Sequence, residues 1–205
     1  MSFDSRQRDV VEQNLRRLDG PARRRLTVAL EAARDLLEAK EPPAFEIRPF
    51  RVGEMGLIAS RQSILYQEQY GWNRGIEVHE GDVTTNFLRN FKPDREQCWV
   101  AEVDGQIAGS IFLTDEGDSV SRLRLLYVEP VFQGRGIGDA LVSSCIAFAR
   151  SVGYERITFW THTILESARR IYARHGFRIV DTSEHRQFGI PLNGETWVLE
   201  LKVQP

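Results

Sequence analysis

Residues 123–138 read LRLLYVEPVFQGRGIG, an apolar run followed by a glycine-rich loop. The segment Leu123–Val128 is apolar apart from Arg124, which predicts a central strand buried on both faces. A helical pattern begins at residue 137, directly after the loop. Glycines at 134, 136 and 138 let the backbone curl and turn its N–H groups inward, and a helix start adds the positive end of its dipole. The stretch therefore predicts a strand–loop–helix junction that binds a pyrophosphate, with Arg135 supplying positive charge.

Two common phosphate-binding signatures do not fit this loop. A P-loop requires Gly-Lys-Ser/Thr, and the dinucleotide fingerprint requires a third glycine where this chain has Asp139. Glycine spacing by itself is also compatible with a purely structural helix start. The loop must therefore be judged together with the elements around it.

The chain on either side of the loop predicts a mixed fold. Two apolar runs, residues 98–103 and 107–113, flank Asp104-Gly105, which is a strong hairpin signal because both turn positions favour positive φ. The remaining pattern predicts strands near 45–49, 156–161, 177–181 and 196–202, and helices near 54–70, 75–91, 137–152 and 165–175. The order β-α-α-β-β-β-α-β-α-β-β gives an α/β (α+β) fold, a mixed central sheet with helices on both faces.

Residues 1–43 predict a helical hairpin with a proline linker, separate from the main domain at 44–205. Each helix carries an apolar stripe that a hairpin cannot bury alone, formed by Val11, Leu15 and Leu18 and by Leu26, Leu30, Ala33 and Leu37. We therefore expect a homodimer through residues 5–39. Docking of the hairpin on its own chain is the alternative.

Composition limits the partners and the setting. A net charge of −2 argues against nucleic acid as the main partner. Cys98 and Cys145 have neither metal-binding nor disulfide spacing, so we expect no metal and a reducing environment. The start lacks a signal-peptide pattern, and no apolar stretch reaches the roughly 18 residues that span a bilayer. These features predict a cytoplasmic protein without a membrane partner.

From residue 45 to 202 the chain resembles the GNAT superfamily of N-acetyltransferases. Gln133, Gly136 and Gly138 fill the family signature Q/R-x-x-G-x-G/A, and residues 168–172 and 176–177 resemble its A-x-x-x-Y and G-F elements. The resemblance implies acetyl-CoA as co-substrate, with loop amides on the pyrophosphate and a bulged strand beside the pantetheine. The cofactor-binding residues that it implies are Leu126, Tyr127, Val128, Gln133, Gly134, Arg135, Gly136, Ile137, Gly138, Thr161 and Ala168.

A narrower resemblance concerns GNAT domains fused behind MarR-type winged-helix regulators. It is carried by short segments at 70–72, 98–102, 123–130, 159–161 and 188–189, and residues 1–39 are similar to the dimerisation helices of those regulators. No recognition helix or wing precedes the hairpin in this sequence, so we expect no DNA binding.

The resemblance also suggests how the proton moves. Tyr172 matches the family tyrosine near the coenzyme sulfur and is the candidate acid, with a core aromatic as the alternative. The main-chain N–H of Leu126 or Val128 would stabilise the oxyanion. Glu129 is the first candidate base, and His162, His79 and Glu77 are alternatives, as are a water relay and an amine that arrives deprotonated. Many members carry an asparagine where this chain has Leu165, so the contact of that side chain is either absent here or replaced by Thr161 or Thr163.

The predicted acceptor side lies after the first strand. Tyr70, Trp72 and Glu77 suit a cationic amine, although the two aromatics also fit ordinary packing. Arg124, the one charge in the apolar strand, requires either an internal glutamate or a substrate carboxylate. The predicted function is acetyl transfer from acetyl-CoA to a primary amine by direct attack. The alternative is a non-catalytic acyl-CoA sensor.

Overall fold

From residue 44 onward, the strands and helices follow the predicted order. The computed structural model describes residues 44–201 and, before them, residues 13, 18–19, 22–23, 26–27, 30 and 34. The strands are β1 Glu46–Pro49, β2 Gln97–Val103, β3 Gln106–Gly117, β4 Val120–Val128, β5 Arg156–His162, β6 Arg178–His185 and β7 Leu192–Glu200. The helices are α1 Glu54–Tyr70, α2 Gly75–Asn90, α3 Ile137–Ser151 and α4 Glu166–Arg174, with a 3₁₀ turn at Pro130–Phe132.

The described strands form a seven-stranded mixed sheet in the order β1-β2-β3-β4-β5-β7-β6. Only β4 and β5 pair in parallel among them. The predicted α/β (α+β) class with a mixed sheet is therefore confirmed. The Asp104-Gly105 hairpin is confirmed as well, since both residues have positive φ, 49° and 76°.

Alternation along β2 explains the two helical layers. Trp99 and Ala101 pack in one core with α3, and Cys98 and Val100 pack in a second core with α1 and α2. Because successive side chains of a strand point to opposite faces, one short apolar strand contributes to both layers. The sheet is covered by helices on both sides.

The predicted burial of Leu123–Val128 on both faces is wrong. Leu123 and Tyr127 are buried, whereas Leu125 and Leu126 are only partly buried. Within the described residues, β4 pairs with β5 only from Val120 to Arg122, so the two strands separate beyond that point. The apolar side chains of the second half of β4 line a gap in the sheet, which explains an apolar composition without full burial.

Four strands extend beyond the bounds that the hydrophobic pattern predicts. β3 and β4 extend to a turn at Asp118 and Ser119, whose φ values are 48° and 58°. β6 continues to His185, and β7 begins at Leu192 rather than at 196. These extensions are largely polar, so main-chain pairing maintains them where the apolar pattern ends.

The chain divides into two compact units, Met1–Pro43 and Ala44–Pro205. In the first unit most of the predicted hairpin lies outside the described residues. Among the residues described there, Asp19 Oδ1 accepts a hydrogen bond from the Ala22 amide at 2.7 Å, and Leu30 is 60 % exposed. No described helix has the length and apolar character needed to cross a membrane.

Candidate functional site

The loop between β4 and α3 owes its shape to two of its glycines. Gly134 and Gly136 have φ values of 78° and 80°, a region that L side chains rarely adopt. Gly136 is the N-terminal cap residue of α3, so the first amides of that helix follow directly. Gly138 has a different role from the one predicted: a Cβ there would lie 2.7 Å from Ile171 Cδ1 on α4. Gly138 therefore permits close packing of α3 against α4 rather than curling of the loop.

β4 carries a bulge immediately before the loop. Ser110 pairs with Tyr127 while Phe112 pairs with Arg124, so β4 contains an extra residue at this point. Leu125 has a φ of 48°, which is uncommon for a branched side chain. The bulge interrupts regular pairing at the place where β4 leaves β5.

A cavity of about 520 Å³, here called the loop cavity, follows this bulge and loop. Nine of the predicted cofactor residues line it: Leu126, Tyr127, Val128, Gln133, Gly134, Gly136, Ile137, Gly138 and Ala168. Tyr70, predicted on the acceptor side, also lines the loop cavity. Gln133 donates from Nε2 to the Val128 carbonyl oxygen at 3.1 Å, which ties the loop to the strand.

Arg135 and Thr161 lie elsewhere than the other predicted cofactor residues. The Arg135 guanidinium lies 5.5 Å from the centroid of the Phe132 ring, and its buried Nη1 has no hydrogen-bond partner among the described residues. Thr161 is buried and lines a second cavity.

The second cavity, here called the aromatic cavity, has a volume of about 330 Å³. Trp72 stacks on Phe188 with ring centroids 4.6 Å apart, and His162 contacts the Trp72 ring edge-on at 4.8 Å. The two cavities share five lining residues: Gln62, Tyr66, Leu126, Leu165 and Ala168. A group held in the loop cavity at Leu126 is thus accessible from the aromatic cavity.

Tyr172 lines the aromatic cavity from α4. It is 4 % exposed, and its ring centroid lies 4.2 Å from that of Phe159. Burial, and to a lesser extent the neighbouring Tyr66, raise the pKa of Tyr172 above its ordinary value. The phenol therefore stays protonated at neutral pH and is able to donate a hydrogen bond.

Glu129 is held by an arginine. Arg61 on α1 donates from Nε and Nη2 to its two carboxylate oxygens, at 2.8 and 2.7 Å. Glu129 is not one of the described residues that line the two cavities. One guanidinium thus engages both carboxylate oxygens of Glu129. The pairing supports a positioning role at the end of β4.

The histidine alternatives for the base are neutral. Burial, followed by the neighbouring His185 and His79, lowers the pKa of His162 to about 4. Burial and then the positive charge of Arg124 lower the pKa of His79. Both imidazoles line the aromatic cavity, whereas Glu77 is exposed.

Glu80 is the residue that the sequence analysis missed. It lies on α2, lines the aromatic cavity and is 1 % exposed. Burial raises the pKa of its carboxyl to about 8. Its position could have been found from the spacing of Ile76, Glu80, Thr84 and Phe87, which lie on the buried face of α2. Helical spacing from Ile76 puts Glu80 on that face and Glu77 off it.

Arg124 has an internal partner. Its Nη2 lies 3.2 Å from Glu116 Oε1, and burial lowers the pKa of its guanidinium. Glu116 also pairs with Arg122, whose Nε lies 3.1 Å from Oε2 but is too poorly aligned for a hydrogen bond. Two guanidiniums on the wall of the aromatic cavity thus share the carboxylate of Glu116.

Comparison with known proteins connects this geometry to a family. The model of the acetyltransferase (GNAT) family matches residues 63–177, which include α2, β4, the loop and Tyr172. N-acetylaspartate synthetase of Danio rerio is 33 % identical over 95 residues, which cover 46 % of this chain and 34 % of that protein. Human N-acetyltransferase 8 is 33 % identical over 113 residues, covering 52 % of this chain and 50 % of its own length. This chain thus spans about a third to a half of the length of these curated relatives.

Solved structures share the fold. An acetyltransferase of the GNAT family from Staphylococcus aureus superposes with a TM-score of 0.64 at 18 % identity, covering 78 % of this chain and 100 % of that one. A candidate acetyltransferase from Salmonella typhimurium, solved with its cofactor acetyl-CoA, superposes with a TM-score of 0.62 at 18 % identity and covers 79 % of this chain and 96 % of that one.

Proposed function

The chain belongs to the acetyltransferase (GNAT) family, and from that premise we propose that it transfers the acetyl group of acetyl-CoA to a primary amine by direct attack in a ternary complex. The observation that carries the proposal is the junction of the two cavities at Leu126 and Ala168. A thioester in the loop cavity and an amine in the aromatic cavity would meet there. Holding two reactants in a reactive geometry contributes roughly 7–11 kcal/mol to catalysis.

Acetyl-CoA fits the loop cavity chemically. The positive-φ loop and the free amides at the start of α3 suit a pyrophosphate. The interrupted pairing beside the bulge suits pantetheine at Leu126 and Val128. The amide of one of these two residues would donate to the oxyanion.

Tyr172 is the proposed acid. Tyr172 lines the aromatic cavity and is protonated at neutral pH, so its hydroxyl is available as a proton donor where the thiolate would form. In the proposed reaction the amine nitrogen attacks the thioester carbonyl carbon, and the C–S bond then breaks. Tyr172 protonates the leaving sulfur.

The proposed acceptor carries a negatively charged group near its amine. Arg122 and Arg124 share only Glu116 as a carboxylate partner among the described residues, which leaves the cavity wall with an excess positive charge. A carboxylate on the acceptor would match that charge. Relatives named N-acetylaspartate synthetase support an acceptor of this kind.

We also propose that residues 5–39 form a homodimer interface, as in the dimerisation helices of MarR-type fusions. Leu30, one of the predicted stripe residues, is 60 % exposed, so it is available to a partner. The cytoplasmic location and the domain boundary at 43/44 remain part of the proposal. A full chain that sediments as a monomer at micromolar concentration would contradict the dimer.

The test is release of free thiol from acetyl-CoA in the presence of amino acids and of amines that lack only the carboxylate. We expect release that depends on the acceptor, and a kcat lowered roughly 10²-fold by Tyr172→Phe with acetyl-CoA binding retained. Tyr154→Phe is the matched control, because Tyr154 is also buried but donates to the Arg95 carbonyl outside both cavities.

Three outcomes separate the possibilities. Equal rates for both classes of amine would contradict the carboxylate preference. Tight acetyl-CoA binding without acceptor-stimulated release would favour the acyl-CoA sensor. Absence of acetyl-CoA binding would contradict the assignment of the loop cavity.

A further inference from the structure

The aromatic cavity contains two buried hydrogen-bond acceptors that lack donors. Glu80 Oε2 and Gln62 Oε1 are both inaccessible to solvent and have no hydrogen-bond partner among the described residues. Gln62 donates from Nε2 to the Tyr66 hydroxyl at 3.0 Å, so its oxygen is the free end of the amide. Buried polar atoms are nearly always paired in folded proteins, and two orphan acceptors in one cavity indicate a ligand rich in donors.

The position of Glu80 relates it to the reacting centre. Burial and then the charge of Glu80 raise the pKa of Tyr66, so the side chains of Glu80 and Tyr66 are neighbours. Gln62 and Tyr66 line both cavities. Glu80 therefore lies on the acceptor side of the junction where the thioester is proposed to sit.

Glu80 is the only carboxyl among the described residues that line the aromatic cavity, and it is buried. The other titratable or charged groups lining the cavity are Tyr66, His79, Arg122, Arg124, His162 and Tyr172. Burial is the cause of the raised pKa of Glu80, so neither arginine offsets it appreciably. The two histidines are neutral, because burial lowers the pKa of each. An incoming cation would thus bind the ionised form of Glu80, which has no competing partner among the described residues.

We propose that Glu80 is the general base of the reaction, and that the aromatic cavity selects a small acceptor whose primary ammonium group binds Glu80 and Gln62. The proposal rests on the proposed acetyl transfer and specifies its acceptor. An ammonium supplies three N–H donors, enough for both orphan oxygens. Trp72 and Phe188 add aromatic faces that favour a cation.

The proton balance of this step is complete. Glu80 carboxylate takes one proton from the ammonium, which leaves a neutral amine and a carboxylic acid. The amine nitrogen forms the C–N bond with the acetyl carbon, the C–S bond breaks, and Tyr172 gives its proton to the thiolate. The second proton lost by the nitrogen restores Tyr172, and Glu80 releases its proton to solvent when the product leaves.

Burial makes Glu80 a better base. An alkylammonium such as the lysine side chain has a pKa of about 10.4. Transfer of its proton to a carboxylate at the ordinary pKa of 4.5 is unfavourable by roughly 10⁶-fold, but with the pKa at about 8 the factor falls to roughly 10². The same burial that leaves the carboxyl unpartnered therefore favours proton transfer.

The test compares Glu80→Gln with Glu68→Gln, an exposed glutamate of α1 that lines neither cavity. At pH 7 we expect Glu80→Gln to lower kcat/KM for the amine by roughly 10²- to 10⁴-fold, with Kd for acetyl-CoA unchanged. The loss should shrink as pH rises toward the pKa of the amine, since the acceptor then arrives deprotonated. A purely structural role would give a loss independent of pH. If the wild-type protein turns over and the kcat/KM of Glu80→Gln lies within twofold of that of Glu68→Gln, the inference is overturned and the transferase proposal stands.

A binding measurement keeps the inference testable even if no acceptor turns over. Butylammonium chloride is titrated into the protein saturated with coenzyme A, and tryptophan fluorescence is followed because Trp72 lines the cavity. We expect Glu80→Gln to weaken binding at least roughly tenfold, as loss of a charge-assisted partner requires. Equal affinity of the two variants, or no binding to the wild-type protein, would overturn the inference.

Discussion

Replacing Glu80 by glutamine should stabilise the protein at neutral pH while it impairs catalysis. Burial raises the pKa of Glu80 from 4.5 to about 8, so the folded state keeps a proton that the unfolded chain loses above pH 4.5. Stability therefore falls as pH rises from 4.5 to 8. The pH of 7 lies 2.5 pH units above 4.5, and each unit is worth about 1.4 kcal/mol. The raised pKa therefore lowers the free energy of unfolding at pH 7 by about 3 kcal/mol. Glutamine has no proton to lose and avoids this cost.

Urea unfolding at pH 6.5 and pH 8 isolates the contribution of Glu80. His162 and His79 have lowered pKa values, so their contribution to stability is lost as pH falls below 6.5 and is complete above it. Between pH 6.5 and 8 we expect the wild-type free energy of unfolding to fall by about 2 kcal/mol. Glu80→Gln should change by less than about 0.5 kcal/mol over the same interval, and Glu77→Gln should behave as wild type.

Parallel pH dependence of wild type and Glu80→Gln would refute this reasoning, because the carboxyl would then titrate alike in both states. A Glu80→Gln variant less stable than wild type at pH 7 would refute it as well. Either result would remove the argument that this site sacrifices stability for function.

Two other substitutions, each with a matched control, test the fold and the loop. Arg48→Ala should lower the free energy of unfolding in urea by about 3–5 kcal/mol. Arg48 is 7 % exposed and pairs with Glu54 at 2.6 Å, so its removal would leave that buried carboxylate without its guanidinium. The control Arg156→Ala breaks an exposed ion pair and should cost less than about 1 kcal/mol. A similar cost for both would contradict the burial argument. Gly136→Ala should lower the free energy of unfolding by about 1 kcal/mol and raise KM for acetyl-CoA, because a side chain is strained at a φ of 80°. The control Gly81→Ala lies in the interior of a helix with open space around the Cβ, so it should raise the free energy of unfolding by about 1 kcal/mol and leave KM unchanged. An equal change of KM in both variants would refute the role of the loop.

Local patterns predicted most of the element order. The Asp104-Gly105 turn and the alternation along β2 depend on neighbouring residues, which the sequence displays directly. The strand–loop–helix junction at residues 123–138 likewise needs only its own glycines and flanks. Local pattern failed where polar strands continue beyond the apolar core, as at the turn of Asp118 and Ser119.

The candidate site was only partly accessible to such reasoning. Tyr172 and the loop residues were found because the family signature marks them. Glu129 remains an untested candidate base, and its partner Arg61, 68 residues away in the chain, became apparent only in the folded protein. Glu80 was missed because its neighbour in sequence, His79, looked more suited to proton transfer, although helical geometry turns Glu80 into the cavity.

The sequence by itself determined the fold class, the order of the elements and the strand–loop–helix junction, because helical and strand periods and glycine conformations are local properties of the chain. Only the tertiary structure decided that β4 leaves β5 after Arg122, that two cavities meet at Leu126, and that Glu80 is buried without a partner. These features arise from contacts between segments distant in sequence. The pKa of a carboxyl and the width of a gap depend on what surrounds them in space, which no short window of sequence contains.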